Sequence, residues 1–238
     1  MIAFDELNTL VGQDDKRRID IDRYFDEMDL PESEKENRKA FATRFENELF
    51  TALSLLFIFL EFKTETGIET VKRTIEQSLL NAINTYTQAD SELTMFASDF
   101  AENFVEVTVR NSEGLFDESG EPDESLLKKI AYFFSEVRAR LNAADTANSV
   151  FNYEEYREAV ESGAQYKQWN TMRDERVRKT HAEVDGVIIP IDEYFEVGAA
   201  LMRYSHDMDC GHPEELVNCR CHTSYLTREE FTKISRGR

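Results

Sequence analysis

The stretch Gly163–Thr171, GAQYKQWNT, is where the sequence changes from a helical to a mixed pattern. Gly163 follows a predicted short helix, Tyr153–Ser162, and glycine commonly ends helices. Tyr166–Thr171 contains tyrosine, tryptophan and threonine, which are favoured in strands. We therefore expect an all-α helical region before this stretch and a small α+β region with a short β-sheet after it.

Four longer helices are predicted upstream, because apolar residues recur there at three- and four-residue spacings. They cover Ser33 to about Glu65, Ile68–Ile83, about Ser91–Val109 and Leu126–Leu141. The phenylalanines at this spacing are typical of a helical core. Asn111–Asp123 contains two glycines, a proline and five acidic residues, so we expect a loop there, with Asp123 or Ser125 capping the next helix.

Downstream, Asp174 is placed to cap a helix over Glu175–Val184. Gly186 would end that helix, and two further strands are predicted at Val187–Ile191 and Leu216–Leu226. We predict two domains, an acidic helical domain over residues 1–143 and a small α+β domain over residues 144–238.

The negative charge of the chain is concentrated in its first two thirds. The whole chain has 28 basic and 48 acidic residues, a net charge of -20, of which residues 1–165 carry -18 (17 basic, 35 acidic). Such a surface repels nucleic acid phosphates and anionic lipids. It suits a basic partner, or it is simply a solvated surface.

Nothing in the sequence predicts a membrane or secreted protein. The opening MIAFDELNTL lacks a basic start, and the most apolar run, Leu53–Leu60, is far shorter than the ~20 residues of a membrane span. The three cysteines do not form the framework of a secreted disulfide scaffold. We expect a protein made in a reducing cytoplasm.

All four histidines and all three cysteines lie between His181 and His222. Imidazole and thiolate groups are the ligands that zinc prefers, and a small domain gains stability from such a site. One interpretation of this clustering is a zinc site. The candidate ligands are His181, Cys210, His212, Cys219, Cys221 and His222.

Two alternatives to a metal stay open. Cys219 and Cys221 could be small buried residues on one face of a strand, with the histidines at the surface or hydrogen-bonded. A cysteine could also act as a nucleophile with His181 or His222 as its base. No motif marks an oxyanion hole, and we assign no catalytic residue.

Several separated motifs occur in a characteristic order and carry a family resemblance. They are Trp169-x-Thr171-x-x-Asp174-x-Arg176-Val177-Arg178-x-x-His181, Asp185-Gly186, Asp192-Glu193-x-Phe195 and Glu215-Leu216-Val217-Asn218-Cys219-Arg220-Cys221. Read together over about residues 135–226, they resemble the phage Mu F-like head morphogenesis family of minor capsid proteins. Asp145-Thr146-Ala147-Asn148 stands where members of this family usually have Glu-Thr-Asn-Arg.

The resemblance implies a protein present in few copies in a tailed-phage particle, built in the host cytoplasm. It implies portal, capsid or scaffolding proteins as partners, a role in procapsid assembly and in DNA packaging or delivery, and at most indirect contact with DNA. No catalytic role is established for the family motif, and we assign none from the resemblance. Two features depart from the family: Cys210 and His212 replace a Pro-Gly-Asp-type turn, and the N-terminal acidity is unusual beside DNA.

The motif residues have expected roles in a scaffold. We expect Trp169 to anchor the core, Arg178 to pair with Asp174, and Asn218 and Arg220 to tie the last strand to a neighbouring loop. Two other functions remain as alternatives: a metal- or thiol-dependent enzyme or effector, and an acidic regulator that mimics DNA. Only 12 residues follow Leu226, so we expect no added catalytic domain.

Overall fold

The computed structural model describes residues 3–12, 15–116 and 123–236. The chain forms two compact units: a helical unit of Met1–Phe25 and Lys39–Ala144, and a mixed unit of Asp26–Arg38 and Asp145–Arg238. The fold is α+β, as the sequence predicts. Among the described residues, no helix is long and apolar enough to cross a membrane. Whether residues 144–238 form a domain of their own stays a prediction.

Seven helices precede the first strand in the described part of the chain. They are α1 (Phe4–Thr9), α2 (Ile21–Asp26), α3 (Glu32–Glu61), α4 (Glu65–Ile83), α5 (Ser91–Phe116), α6 (Glu124–Phe133) and α7 (Glu136–Glu161). The predicted helices after Ser33, Ile68 and Ser91 are confirmed as α3, α4 and α5.

Aromatic side chains fill the core of the helical unit. Phe57 packs edge-on against Phe134 with ring centroids 5.4 Å apart, and Phe45 packs against Phe100 at 5.6 Å. Phe41 and Phe45 are fully buried. The prediction that the phenylalanine stripes form core is therefore confirmed, and edge-to-face pairs of this kind add to the energy of burial.

Helix α5 runs further than the sequence suggested. Asn111–Phe116, predicted as the start of a loop, is helical, because Ser112 and Leu115 on this last turn are buried. This burial offsets the roughly 1 kcal/mol that a helical glycine costs at Gly114. Residues 117–122 of the predicted loop lie outside the described residues. Asp123 does cap α6, accepting the N–H of Leu126 at 2.8 Å.

The predicted helix Leu126–Leu141 is wrong as one element, because the chain breaks between α6 and α7. The Ser135 hydroxyl accepts the N–H of Arg138 at 3.2 Å and so begins a new helix. Because residues 136–162 contain no glycine or proline, α7 then continues to Glu161. The predicted short helix Tyr153–Ser162 is the last part of α7.

The mixed unit contains two small antiparallel sheets. Strand β1 (Tyr166–Asn170) lies between β2 (Ile188–Pro190) and β5 (His222–Leu226), and β3 (Phe195–Val197) pairs with β4 (Ala200–Met202). The short helices are α8 (Lys179–Ala182), α9 (Pro213–Leu216) and the terminal α10 (Arg228–Arg236). The strand predicted from GAQYKQWNT is thus the central strand of the larger sheet.

Trp169 lies at the centre of the core of this unit and is 0% exposed. Its ring meets Phe195 edge-on at 5.3 Å. The inward faces of β3 and β4 add Val197, Ala200 and Met202, while Leu201 on the other face is 56% exposed. One tryptophan therefore joins the central strand to the second sheet.

Two predicted elements of the mixed unit are wrong. Glu175–Val184 is not one helix: Arg178 has an extended backbone (φ -62°, ψ 149°) at which a new helix begins, and only Lys179–Ala182 is helical. Leu216–Leu226 is not one strand, because Asn218 has a φ of 58° and interrupts the extended backbone before β5 begins at His222. The intervening residues 217–221 form a loop that contains the two cysteines.

Lys167 is a fully buried cation on β1. Its Nζ donates a hydrogen bond to the Ile191 carbonyl at 2.9 Å and lies 5.6 Å and 5.4 Å from the ring centroids of Tyr156 and Phe195. Burial lowers the pKa of Lys167 to about 8, although nearby carboxylates oppose the shift.

This shift predicts an unusual pH dependence of stability. The unfolded chain holds the Lys167 proton up to its ordinary pKa near 10.5, whereas the folded chain releases it at about 8. The lysine contribution to the unfolding free energy should therefore rise between these values, by about 2–3 kcal/mol from pH 7 to pH 10. In urea unfolding, the free energy of unfolding of the wild type should rise relative to that of Lys167→Met as the pH is raised from 7 to 10. A difference between the two proteins that does not change with pH would contradict the expectation.

Candidate functional site

The candidate site is the loop of residues 217–221, which contains Asn218-Cys219-Arg220-Cys221 and connects α9 to β5. Asn218 adopts the left-handed conformation, φ 58°, which asparagine tolerates better than most residues. Its backbone N–H is held by both carboxylate oxygens of Asp145, at 2.9 and 3.0 Å. The asparagine therefore gives the loop its turn, and Asp145 on α7 fixes it.

The carbonyl oxygen of Cys219 accepts two side-chain hydrogen bonds. The Asn148 amide donates at 3.2 Å and the His206 Nε2 donates at 2.6 Å. Arg178 donates to the carbonyl of Val217, two residues before Cys219. The loop backbone is thus held by side chains, as a segment outside helices and strands requires when it is buried.

Arg220 forms the ionic part of the site. Its guanidinium contacts both carboxylate oxygens of Asp174, at 2.9 and 2.6 Å, and Glu27 at 3.5 Å. Arg176 also pairs with Glu27, and its backbone N–H is accepted by Asp174. The predicted pair between Asp174 and Arg178 is wrong, because Asp174 turns towards Arg220 instead.

Asp185 and Gly186 link the turn after α8 to β1. Asp185 accepts the backbone N–H and the hydroxyl of Thr171 at 2.8 and 3.0 Å, and Arg173 at 2.8 Å. Gly186 has a φ of 74° and donates its N–H to the Trp169 carbonyl at 2.8 Å. The Asp-Gly pair therefore closes the loop that begins at the buried tryptophan.

The two cysteines meet His181, which α8 carries. The Nδ1 atom of His181 lies 3.3 Å from the Cys221 Sγ and 3.4 Å from the Cys219 Sγ. On its other side, Nε2 lies 3.0 Å from the Glu215 carboxylate. His181, Cys219 and Cys221 are 2–3% exposed. Three potential metal ligands therefore converge in a closed position, with their ligand atoms within 4.8 Å of one another.

The two thiols are electrostatically distinct. Burial disfavours the Cys219 thiolate, but the hydrogen bond from the Cys221 thiol and the nearby imidazoles of His206 and His181 outweigh burial and hold the pKa of Cys219 well below its usual range. The hydrogen bond to Cys219, together with burial, raises the pKa of Cys221. The pair thus holds one thiolate more readily than two.

The other predicted ligands lie outside this group. The half-buried Cys210 thiol points to the His212 carbonyl, with a sulfur–oxygen distance of 3.8 Å, and His212 pairs with Glu214 at the surface. His222 is buried in β5, where burial, followed by the charge of Arg38, lowers its pKa to about 4. The structure therefore brings together three of the six candidates, because Cys210 and His212 lie on a separate turn and His222 is buried near Arg38.

Some residues of the site had no role assigned from sequence. Glu215 was only part of a motif, and its position on the short helix α9, close to α8, gives it the contact with His181. Glu27 carries no sequence signal at all, since it lies 149 residues from Arg176. Long-range ion pairs of this kind cannot be read from spacing.

Comparison with known proteins agrees with these motifs. Residues 118–224 match the family model described as phage Mu protein F like protein. No curated protein and no solved structure matches the chain significantly. The matched range contains Trp169, His181 and both cysteines of the loop, so the resemblance inferred from the motifs is confirmed. Residues 118–224 are therefore similar to the phage Mu F-like family.

Proposed function

We propose that this protein acts in the assembly of a tailed-phage head, where its mixed unit docks on the portal or the inner capsid surface. The observation that carries the proposal is the family match over residues 118–224, which supports a role in phage head morphogenesis. In this role the protein acts by contact and catalyses no reaction.

The geometry of the motif supports a docking module. Polar side chains around the loop pair with one another within the unit: Asp174 and Glu27 with Arg220, Asp145 with Asn218, and Asp185 with Thr171. Contacts of this kind fix the shape of loops on a small sheet. A fixed surface is what a protein needs when it must recognise one position in a particle.

The charge distribution supports separate binding roles for the helical region and the mixed unit. Residues 1–165 carry a net charge of -18 from 17 basic and 35 acidic residues, which favours a basic partner surface and disfavours direct contact with DNA. We infer that the helical region contacts a basic face of the portal, capsid or scaffold, and that any effect on DNA is indirect.

Two alternatives stay predictions. A thiol-dependent enzyme would use Cys219, which has a lowered pKa beside His181, but a substrate must reach the sulfur and both residues are 2–3% exposed. An acidic regulator that mimics DNA would bind a basic host protein through the same negative surface, and that binding would weaken steeply with salt.

The proposal is tested on particles of the phage that encodes the chain. We expect mass spectrometry to find the protein in few copies in purified procapsids, and cross-linking to connect it to the portal or the major capsid protein. A soluble host protein of similar negative charge serves as the control for trapping. Absence from both procapsids and virions, or cross-links to a host DNA-binding protein alone, would contradict the proposal.

A further inference from the structure

The geometry points to a metal site of the zinc class at His181, Cys219 and Cys221, with Glu215 orienting the imidazole. The ion would be bound by Nδ1 of the histidine and the two sulfur atoms, and it would fasten the 217–221 loop to α8. Such a site would hold the loop whether or not the protein acts in head assembly.

The first observation is the tautomer of His181. A carboxylate only accepts hydrogen bonds, so the 3.0 Å contact with Glu215 places the ring proton on Nε2. Nδ1 then presents its single lone pair to two sulfur atoms at nearly equal distances, 3.3 and 3.4 Å. One lone pair can accept a hydrogen bond from only one of the two thiols, whereas a cation placed between the three atoms would bind the nitrogen and both sulfur atoms.

The second observation is the size of the triangle. With zinc–nitrogen bonds of about 2.0–2.1 Å, zinc–sulfur bonds of about 2.3 Å and tetrahedral angles, nitrogen and sulfur ligands lie about 3.6 Å apart. The distances of 3.3 and 3.4 Å therefore need only a few tenths of an ångström of expansion. An N and two S donors suit zinc and related borderline-soft cations, and not magnesium or calcium.

The third observation is the support behind the ligands. Glu215 accepts a hydrogen bond from the Thr180 hydroxyl at 3.0 Å. Its other oxygen lies close to the backbone of Gly198, since a Cβ atom added at Gly198 would come within 2.6 Å of it. The backbone N–H of Cys221 points to the Cys219 sulfur at 3.4 Å. A carboxylate on the second nitrogen of a histidine is the usual outer contact of a metal-binding imidazole.

The fourth coordination position lies towards a narrow cavity. The three ligands line it together with Met172, Val177 and Arg178, and its volume is about that of one water molecule. A water ligand there would complete a tetrahedron. The two sulfur atoms are otherwise enclosed.

The test uses the full-length protein with its affinity tag removed, purified under reducing conditions without chelators. We expect about one zinc ion per chain by elemental mass spectrometry. Replacing zinc with cobalt(II) should give a thiolate-to-cobalt charge-transfer band and the visible bands of a tetrahedral ion. Both readouts use the wild-type chain, so they do not depend on a variant that folds.

Variants assign the ligands. Cys219→Ser and Cys221→Ser should each lose most of the bound zinc, while the matched control Cys210→Ser should keep it. Glu215→Gln should retain zinc with an affinity about 10–100-fold lower, measured by competition with a chromophoric chelator. Wild-type protein without stoichiometric zinc and without the charge-transfer band would overturn the proposal. So would full occupancy in both serine variants, or an unchanged affinity in Glu215→Gln.

Discussion

Replacing Trp169 with alanine is expected to lower the free energy of unfolding of the mixed unit by about 3–5 kcal/mol. The side chain is 0% exposed, and its ring meets Phe195 at 5.3 Å and His181 at 5.6 Å, both edge-on. Removing it leaves a large cavity between β1 and the β3–β4 hairpin. Natural proteins are stable by only about 5–15 kcal/mol, so the loss is a large part of the total.

The measurement is urea unfolding followed by circular dichroism, because Trp169 is the single tryptophan of the chain and its fluorescence disappears with it. Leu201→Ala is the matched control: this residue lies on β4 but is 56% exposed, so its removal should change the unfolding free energy by less than about 0.5 kcal/mol. Equal effects of the two substitutions would show that Trp169 does not anchor the core.

The regular elements could be predicted where local pattern decides the structure. The spacing of apolar residues predicted α3, α4 and α5, and the stretch around Trp169 predicted β1, because each depends on which face is buried. The β3–β4 hairpin and α10 were not predicted. Strands of three residues, such as Phe195–Val197, are too short to show a period.

The site could be predicted only in part. The clustering of histidines and cysteines, with the motif order, placed His181, Cys219 and Cys221 together in the sequence analysis. It could not separate them from Cys210, His212 and His222, because which thiol faces which imidazole depends on the turn at Asn218 and on the position of α8. Tertiary contacts of this kind are set by the whole fold.

The break between α6 and α7 also depends on a contact that spacing does not reveal. Arg138 is buried, and its guanidinium donates to the Phe133 carbonyl at 2.9 Å, the Thr108 hydroxyl at 2.6 Å and the Phe104 carbonyl at 3.1 Å. It also lies 4.0 Å from the centroid of the Phe104 ring. Burial lowers the pKa of Arg138 to about 10, so the side chain remains charged at neutral pH.

Arg138→Ala is therefore expected to destabilise the helical unit by about 3 kcal/mol or more, because it removes a buried side chain and leaves the Thr108 hydroxyl with one partner fewer. Arg138→Lys should recover little of the loss, since one ammonium cannot reach three acceptors that a planar guanidinium spans. Arg110→Ala, an exposed arginine on α5, is the matched control and should leave the urea unfolding midpoint nearly unchanged. If Arg138→Lys unfolds like wild type, the three hydrogen bonds do not hold the junction, and the capping of α7 by Ser135 alone must account for the break.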